Sequence, residues 1–455
     1  MRVAILGGGI AGCALAAELA RAGRIEVVLV ERDARLGGLH RSVQLGPHVF
    51  DIGAFVFGDD HALFSVFPEL RSVFLRVPNR YGSVRSGGVF DDYPCTIAGI
   101  RRQFGSLFLA RVVLEVVYAK ARYWRRDRLR SFVAYYMGPT LYRVSGLQRY
   151  VERLYLAPDS EIDVEFAEKR LAAVAESAGV RAILKRLAGE LGRGRWPRNV
   201  ARPQTADAVW VRPPGGFDEV YGRIAAGLRE RGVAIRCGTS VQRIESAGTR
   251  FRLAGLGDDE VFDGVFSTIP LEVLARLLDL TDFVAPEYVD LYSLFYAHAG
   301  TLRFPYNVLH NFTDHGQWKR LTVFSRYYAA PGGGQVFTVE GTASPGRAAE
   351  AVGRAGFEDF ERWALRERLF DGPLQGLGYA ITPRGYPVYR TSTARGIREL
   401  KRRLRAQGVR LAGRQGDFNY ISSSDAARDA VAAARAFLEA AGLGAGGESG
   451  SRPST

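Results

Sequence analysis

The sequence predicts an α/β protein with a doubly wound parallel sheet, and three observations near the N terminus predict this class. An apolar run from Val3 to Leu6 ends on three consecutive glycines and leads into an alanine-rich helical stretch. A second apolar run, Val27 to Val30, follows and ends on Glu31. Strand, glycine turn, helix, strand and terminal acid form, in this order and spacing, the βαβ unit that binds dinucleotides.

Each glycine of this turn is needed for a different physical reason. Gly7 allows the tight turn, Gly9 lets the backbone approach a pyrophosphate, and Gly12 lets the helix pack close to the strand. The N terminus of the helix then offers free N–H groups and a positive dipole end to the phosphates. Glu31 can accept hydrogen bonds from ribose hydroxyls, which favours a 2′-hydroxyl over a 2′-phosphate.

These residues and their neighbours form the predicted nucleotide site of the N-terminal segment. The predicted contacts are Gly7, Gly9, Ile10, Ala11, Gly12, Glu31, Arg32 and Gly38. The alternative is a purely structural strand-turn-helix in another α/β fold. The segment alone does not distinguish FAD from NAD as the nucleotide.

Length and composition set the class of protein. A chain of 455 residues with 47% apolar and 24% charged residues predicts two or three units of a soluble globular protein. Its three cysteines lie far apart, which argues against disulfides or a zinc site and fits a reducing compartment. Because the first strand begins at residue 2 and no long apolar stretch follows, neither a signal peptide nor a membrane span is expected. We expect a cytoplasmic protein without a bound metal.

The net charge of +14 is concentrated in two stretches. Residues 101–130 carry nine Arg or Lys against two acids, and residues 181–202 carry seven against one. Solvated helix faces are the favoured interpretation. Attraction of an anionic substrate such as a nucleotide-sugar, and attachment to an acidic membrane surface, are the less favoured alternatives. No motif supports nucleic-acid recognition, and nothing predicts the oligomeric state.

The spacing of apolar residues divides the rest of the chain into a helical part and a part rich in strands. Helical spacing dominates from about 96 to 191, and successive strands rich in Tyr and Phe are expected over 288–345. The predicted helices are 106–130, 131–137, 139–155, 162–191, 218–231, 348–370, 392–407 and 425–441. The small, polar tail is predicted to be disordered.

Both ends of the chain resemble one enzyme superfamily. The GGGIAG turn, Glu31, the glycine pair in RLGG, the strand VRLAGRQG and the closing helix resemble FAD-dependent enzymes of the amine-oxidase, protoporphyrinogen-oxidase and UDP-galactopyranose-mutase superfamily. The resemblance implies a Rossmann-like FAD-binding domain (GR2-type), interleaved with a mixed-sheet substrate domain and a helical insertion. It also implies FAD as the cofactor, which is expected to be held non-covalently because no Cys or His lies at an obvious attachment point in the C-terminal motif.

The same resemblance suggests the domain boundaries. The FAD-binding domain would comprise 1–95, 206–280 and 386–441, with a helical insertion at 96–205, a substrate-binding sheet domain at 281–385 and a tail at 442–455. Within it, Val241 belongs to the middle segment. Gly413 permits close approach to the ribityl-pyrophosphate, and Arg414 can place a positive charge there. Ser424 and Asp425 begin a helix whose N terminus can face the flavin.

The mutase branch provides further correspondences and departures. RGYPVY before a helix and the tyrosine Tyr150 match that branch, and Arg320 takes the place of one of its two phosphate-binding arginines. Arg198 and Arg202 are loose candidates for the second. Spacing to the hairpin near residue 86 favours Phe55, rather than the histidine of Gly46-Pro47-His48, at the position beside the flavin.

The candidate catalytic residues are Phe55, Arg320, Tyr328 and Tyr420. Arg320 is a contact for a substrate anion or, alternatively, a surface charge; each tyrosine is a pocket residue or a core residue with a satisfied hydroxyl. The favoured function is an FAD-dependent oxidoreductase in which a small-molecule substrate, with an anion or a nucleotide-sugar as candidates, transfers a hydride to flavin N5. Mutase-like use of reduced flavin on a sugar-nucleotide, and a catalytically inactive flavin-binding scaffold, are the alternatives.

Overall fold

A computed structural model of the chain describes residues 1–93, 97–170, 205–257, 260–330 and 332–443. Its strands are β1 (Arg2–Leu6), β2 (Glu26–Val30), β3 (Ser42–Leu45), β4 (His48–Asp51), β5 (Leu75–Arg85), β6 (Val89–Asp92), β7 (Thr205–Val211), β8 (Ala234–Arg236), β9 (Arg243–Ala247), β10 (Arg250–Ala254), β11 (Glu260–Phe262), β12 (Gly264–Ser267), β13 (Glu287–His298), β14 (Val308–Phe312), β15 (Trp318–Val323), β16 (Gln335–Ala343), β17 (Gln375–Val388) and β18 (Arg410–Leu411).

The described helices lie in the segments that connect these strands or follow the last one. They are α1 (Ile10–Arg21), α2 (Ala62–Val66), α3 (Ile97–Phe104), α4 (Ser106–Arg122), α5 (Leu129–Met137), α6 (Pro139–Val144), α7 (Leu147–Tyr155), α8 (Val164–Arg170), α9 (Phe217–Glu230), α10 (Leu271–Leu277), α11 (Ala349–Glu367), α12 (Ala394–Ala406), α13 (Gly413–Gly416) and α14 (Ser423–Ala440). None of them combines the length and the apolar character that a membrane-spanning helix requires.

The five-stranded sheet has the order β18-β12-β1-β2-β8, and all of its pairings are parallel. Its central strand β1 is buried on both faces. Val3 and Ile5 pack in one core with α1, α9 and α14, whereas Ala4 and Leu6 pack in a second core with β9–β11 and helices α5–α8. Burial on both faces explains why β1 and β2 read as continuous apolar runs. The predicted α/β class with a Rossmann-like parallel sheet is confirmed.

A separate mixed sheet has the order β17-β13-β16-β15-β14-β5-β6, with β7 paired to β5. Its pairings are antiparallel except for β14 with β5. The aromatic strands predicted over 288–345 are β13 to β16, so this expectation is confirmed. Strand β17 is continuous across the domain boundary predicted between residues 385 and 386.

The helical segment is more divided than its periodicity predicts. The continuous helix expected over 139–155 is interrupted at Gly146, whose φ is +81°. A Cβ at this position would lie 2.0 Å from the carbonyl oxygen of Phe312 in β14. Helix α4 likewise ends at Arg122 instead of continuing to residue 130. Most of the helix predicted at 162–191, both Arg198 and Arg202, and residues 444–455 of the tail lie outside the described residues.

Candidate functional site

The glycine turn between β1 and α1 has a backbone that side chains would block. Gly7 has φ +101°, and a Cβ there would lie 2.4 Å from Oγ1 of Thr268. A Cβ at Gly12 would lie 1.9 Å from the carbonyl oxygen of Gly7. Helix α1 begins after Gly9 without a side-chain cap and without an acid in its first turn. The first N–H groups of α1 are therefore open to an anionic ligand.

Glu31 lies at the end of β2 beside this turn, as its sequence position predicts. Its Oε2 accepts a hydrogen bond from the backbone N–H of Gly8 at 2.6 Å, and its Oε1 accepts one from that of Asp33 at 2.8 Å. The carboxylate thus fixes the turn to the strand end, a role that the spacing alone did not indicate. Arg32 points outward: its side chain is 75% exposed and contacts Asp33.

Two more segments close on the glycine turn. Gly38 has φ +57°, and a Cβ there would lie 3.0 Å from Cα of Gly9. Gly413, at the start of α13, has φ +74°, and its Cβ would lie 2.6 Å from that of Ala11. Ala11 and Gly413 are about 400 residues apart in sequence. The predicted contribution of the C-terminal motif to the nucleotide turn is consistent with this contact.

Arg414 follows in α13 and lies between two tyrosine rings. Its guanidinium carbon is 4.3 Å from the ring centroid of Tyr420 and 4.7 Å from that of Tyr386. Its Nε and Nη2 atoms are buried and have no hydrogen-bond partner among the described residues. Buried N–H groups of a permanent cation are costly unless they are hydrogen-bonded, so the site suits an anion.

Ser424 and Asp425 already have protein partners at the start of α14. The Oγ atom of Ser424 accepts a hydrogen bond from the backbone N–H of Ala62 at 3.0 Å. Asp425 accepts one from the hydroxyl of Ser422 at 2.6 Å and another from Arg428 at 2.8 Å. The Ser424 contact joins α14 to α2, and the Asp425 contacts stabilise the first turn of α14 itself. Their predicted role in cofactor binding stays a prediction.

The segment that contains Val241 is hydrogen-bonded to the end of β2 through its backbone. It is partly buried against the second core, and the N–H of Thr239, two residues earlier, donates to the carbonyl oxygen of Glu31 at 3.0 Å. The segment after β8 therefore runs past the end of β2. Val241 as a cofactor contact also stays a prediction.

A buried group of charges lies in the mixed sheet and is called here the charge cluster: Lys319, Arg320, Glu340 and Tyr386. Arg320 donates from Nε and Nη2 to the two carboxylate oxygens of Glu340, each at 2.7 Å. Nζ of Lys319 is 3.4 Å from Oε2 of Glu340 and also donates to the hydroxyl of Tyr386. The Glu340 side chain is completely buried. Arg320 is largely buried and paired, so it is not a surface charge; its predicted contact with a substrate anion stays a prediction.

Burial and charge oppose each other within the charge cluster. Burial alone would raise the pKa of Glu340, but Arg320 and Lys319 outweigh that effect and lower it. Burial lowers the pKa of Lys319 to about 8, with Glu340 acting in the opposite direction. The cluster therefore holds a carboxylate, a permanent guanidinium and an ammonium that titrates near neutral pH.

Tyr386 connects the charge cluster to the nucleotide side. Its ring lies 4.3 Å from Nζ of Lys319, 4.7 Å from the guanidinium carbon of Arg414 and 5.1 Å from the ring of Tyr420. With Lys319 protonated, three cations (Lys319, Arg320 and Arg414) face one anion (Glu340), an excess of two positive charges. This excess favours a ligand with negative charge.

His310 extends the cluster on the neighbouring strand, opposite Arg320 in the β14–β15 register. Its Nδ1 is 3.4 Å from the hydroxyl of Tyr150, and its ring is tilted by 35° from that of Tyr93, with centroids 4.2 Å apart. Burial, followed by the charges of Arg320 and Lys319, lowers the pKa of His310 well below its ordinary value. The imidazole is therefore neutral and can act as a hydrogen-bond donor or acceptor.

Phe55 and Tyr328 lie in other surroundings. The Phe55 ring packs edge-on against His40 and Phe217, with centroids 4.8 and 5.2 Å away. Tyr328 donates from its hydroxyl to the carbonyl oxygen of Arg212 at 2.9 Å and packs in a separate apolar cluster. Of the four predicted catalytic residues, the contacts thus bring Arg320 and Tyr420 into one region around Tyr386. Phe55 and Tyr328 make none of these contacts.

Sequence reasoning did not single out Lys319, Glu340 or His310 as site residues. One feature could have indicated two of them: charged residues within the otherwise apolar strands WKRLTV and QVFTVEGTA. Buried charges are seldom found unless they are paired or functional. Among the described residues, no three His, Cys, Asp or Glu side chains are grouped as metal ligands would be.

Comparisons with known proteins agree with this geometry. A family model described as an NAD(P)-binding Rossmann-like domain matches residues 5–70. This match covers the glycine turn and Glu31, and it establishes a Rossmann-like dinucleotide-binding unit at the N terminus. No curated protein matches the chain.

Solved structures resemble the chain over nearly its whole length. A reduced UDP-galactopyranose mutase superposes with a TM-score of 0.73 and 17% identity, covering 96% of each chain. A putative protoporphyrinogen oxidase from Exiguobacterium gives 0.70 and 18%, covering 97% of this chain and 98% of its own. Cyclohexylamine oxidase from Brevibacterium oxydans gives 0.63 and 14%, covering 97% and 99%. At these identities the likeness establishes the fold.

Proposed function

We propose that this chain, which has the fold shared by the FAD-dependent amine-oxidase-like superfamily, is an FAD-dependent oxidoreductase acting on a small anionic substrate. The observation that carries the proposal is the position of Arg414. It follows the glycine that touches the nucleotide turn, and it shares Tyr386 with the charge cluster of the mixed sheet. A predicted dinucleotide site and a positively charged region of the mixed sheet therefore adjoin.

The residues present fit FAD. The glycine turn provides a backbone approach and open helix N–H groups for a pyrophosphate, and Glu31 retains acceptor capacity for ribose hydroxyls. The unpaired N–H groups of Arg414 supply a charge-assisted contact to an anionic part of the cofactor. When bound, FAD would supply the redox chemistry, accepting a hydride from the substrate.

Non-covalent attachment is supported by the burial of Cys13, the cysteine beside the glycine turn. Cys13 is completely buried in α1, and its Sγ donates to the carbonyl oxygen of Gly8 at 3.5 Å. Burial, followed by the charge of Glu31, raises the pKa of this thiol well above its ordinary value. A protonated, buried thiol is a poor nucleophile, so Cys13 does not provide an attachment point.

The chain's own groups bind and orient the substrate. Lys319 provides positive charge beside Tyr386 for the substrate, while Glu340 holds Arg320 in place. Tyr386 and Tyr420 are 7% and 8% exposed, so they exclude water from this region. Neutral His310 and Tyr150 add a hydrogen-bonding pair without further charge.

A second candidate function is mutase-like use of reduced flavin on a sugar-nucleotide. The excess of positive charge near Tyr386 favours it, because the diphosphate of a sugar-nucleotide is negatively charged. The fold likeness to a reduced UDP-galactopyranose mutase adds support. Phe55, in place of the histidine that the resemblance implies, counts against it.

Spectroscopy of the purified protein separates these functions. We expect a flavin absorption spectrum, and a candidate substrate that bleaches it anaerobically without added reductant would support the oxidoreductase. Binding of uridine diphosphate together with turnover only after prior reduction would support the mutase. Flavin binding with neither activity would indicate a scaffold, and protein that cannot be reconstituted with flavin would contradict all three.

A further inference from the structure

Helix α4 has an apolar outward face. Its inward side is formed by Val112, Val116 and Ala119, which are buried against the helical segment. A helix on the surface of a soluble protein normally presents charged and polar residues on the opposite side. Here the opposite side carries large apolar residues: Leu107 (86% exposed), Leu114 (73%), Val117 (58%) and Tyr118 (66%).

These four residues form one continuous stripe. Positions 107, 114 and 118 lie one above another at helical spacing, and position 117 is adjacent. From Leu107 to Tyr118 the stripe is about 16 Å long at the usual rise per residue. Single exposed apolar residues are common on protein surfaces, but a stripe of four on one helix face marks a contact surface.

The surroundings of the stripe are strongly basic. Residues 101–126 contain seven Arg or Lys and a single acid, Glu115. Both carboxylate oxygens of Glu115 accept hydrogen bonds from Thr140, at 3.1 Å from its backbone N–H and 2.9 Å from its hydroxyl. Arg111 is exposed within the stripe itself. The outward field of this segment is therefore positive.

Aromatic residues lie where the stripe meets the basic end. Tyr118 is on the stripe, and Trp124, 64% exposed, follows the helix with the guanidinium carbon of Arg125 4.9 Å from its ring centroid. Apolar residues flanked by Trp, Tyr, Arg and Lys are the composition of helices that lie in the membrane–water interface.

We propose that α4 and the residues after it dock the protein on an anionic lipid surface. Leu107, Leu114 and Val117 enter the acyl–headgroup boundary, while the arginines around them contact negatively charged headgroups. The helix lies on the membrane and does not cross it. A second copy of the chain is a poorer occupant, because a symmetric contact would oppose two copies of the same positive surface.

Vesicle co-sedimentation of the full chain tests this proposal. The probes are phosphatidylcholine vesicles with and without phosphatidylglycerol. The test variant is Leu114→Glu with Val117→Glu, and the control is Leu365→Glu, an 82% exposed leucine on a different helix, α11. We expect the wild type and the control to bind only the anionic vesicles, less tightly as salt is added. The double variant should bind at least about tenfold more weakly.

Two further measurements keep the outcomes distinct. Circular dichroism and the flavin spectrum should be unchanged in the double variant, because both substituted side chains point into solvent. Absence of binding to anionic vesicles, or equal binding by the double variant, would overturn the proposal. So would a wild-type dimer in light scattering that the double variant dissociates, since the stripe would then be a contact between copies.

Discussion

Arg320 donates two hydrogen bonds to Glu340, one to each carboxylate oxygen, and both are 2.7 Å long. Glu340 is completely buried, and its second neighbour is the ammonium group of Lys319 at 3.4 Å. One carboxylate therefore serves as the counterion of two cations inside the mixed sheet. Removing this carboxylate would leave both cations without their counterion.

Glu340→Gln should destabilise the folded protein strongly. The amide keeps the shape of the side chain but leaves two buried cations without a counterion, at a cost of about 3–5 kcal/mol. Urea unfolding followed by circular dichroism measures the change. The matched control is Glu350→Gln, which removes a carboxylate paired with Arg354 on the surface of α11 and should change little. Similar midpoints for the two variants would contradict the role assigned to Glu340.

Arg414→Ala should weaken FAD binding by about 1.5–3 kcal/mol, the value of a hydrogen bond to a charged group. The measurement is titration of flavin-free protein with FAD, followed by quenching of flavin fluorescence. Arg414→Lys keeps the charge but loses the planar donors, and it should bind with intermediate affinity. Arg402→Ala, at a guanidinium on α12 that is 69% exposed and paired with Glu399, should bind FAD like the wild type. Unchanged affinity for the Ala variant at position 414 would exclude Arg414 from the cofactor site.

Anion binding near Tyr386 should depend on pH through Lys319. The pKa of this group is lowered to about 8 by burial, so it is a cation below that pH and neutral above it. Affinity for inorganic pyrophosphate, measured by calorimetry, should therefore fall as the pH is raised through about 8. Lys319→Arg, which stays charged, should remove this step. Equal pH dependence in the wild type and the arginine variant would show that another group titrates.

Gly146→Ala should destabilise the protein by about 1–3 kcal/mol, because φ is +81° and the new Cβ would meet the carbonyl oxygen of Phe312 at 2.0 Å. Gly222→Ala provides the contrast within helix α9. A Cβ there meets nothing within 4 Å, and the substitution should stabilise the helix by about 0.4–1 kcal/mol. Thermal unfolding of both variants should show shifts of opposite sign.

Local pattern predicted those parts of the site that a short segment builds by itself. Gly7, Gly12 and Glu31 could be identified because strand, turn and helix are set by neighbours in sequence, and each glycine is needed where a side chain would clash. The aromatic strands of the mixed sheet were predictable for the same reason. Partners distant in sequence were not, and Tyr328 illustrates this, since its hydroxyl binds the carbonyl of Arg212.

The sequence by itself determined the βαβ unit, the α/β class and the strongly basic composition, because periodicity, glycine spacing and charge are properties of neighbouring residues. Only the tertiary structure decided which charges are paired. It placed Glu340 between Lys319 and Arg320, set Arg414 against the rings of Tyr386 and Tyr420, and turned the apolar stripe of α4 outward. Whether a side chain is buried depends on elements that meet only in the folded chain. A buried charge needs a partner, so the pairing of charges also depends on those elements.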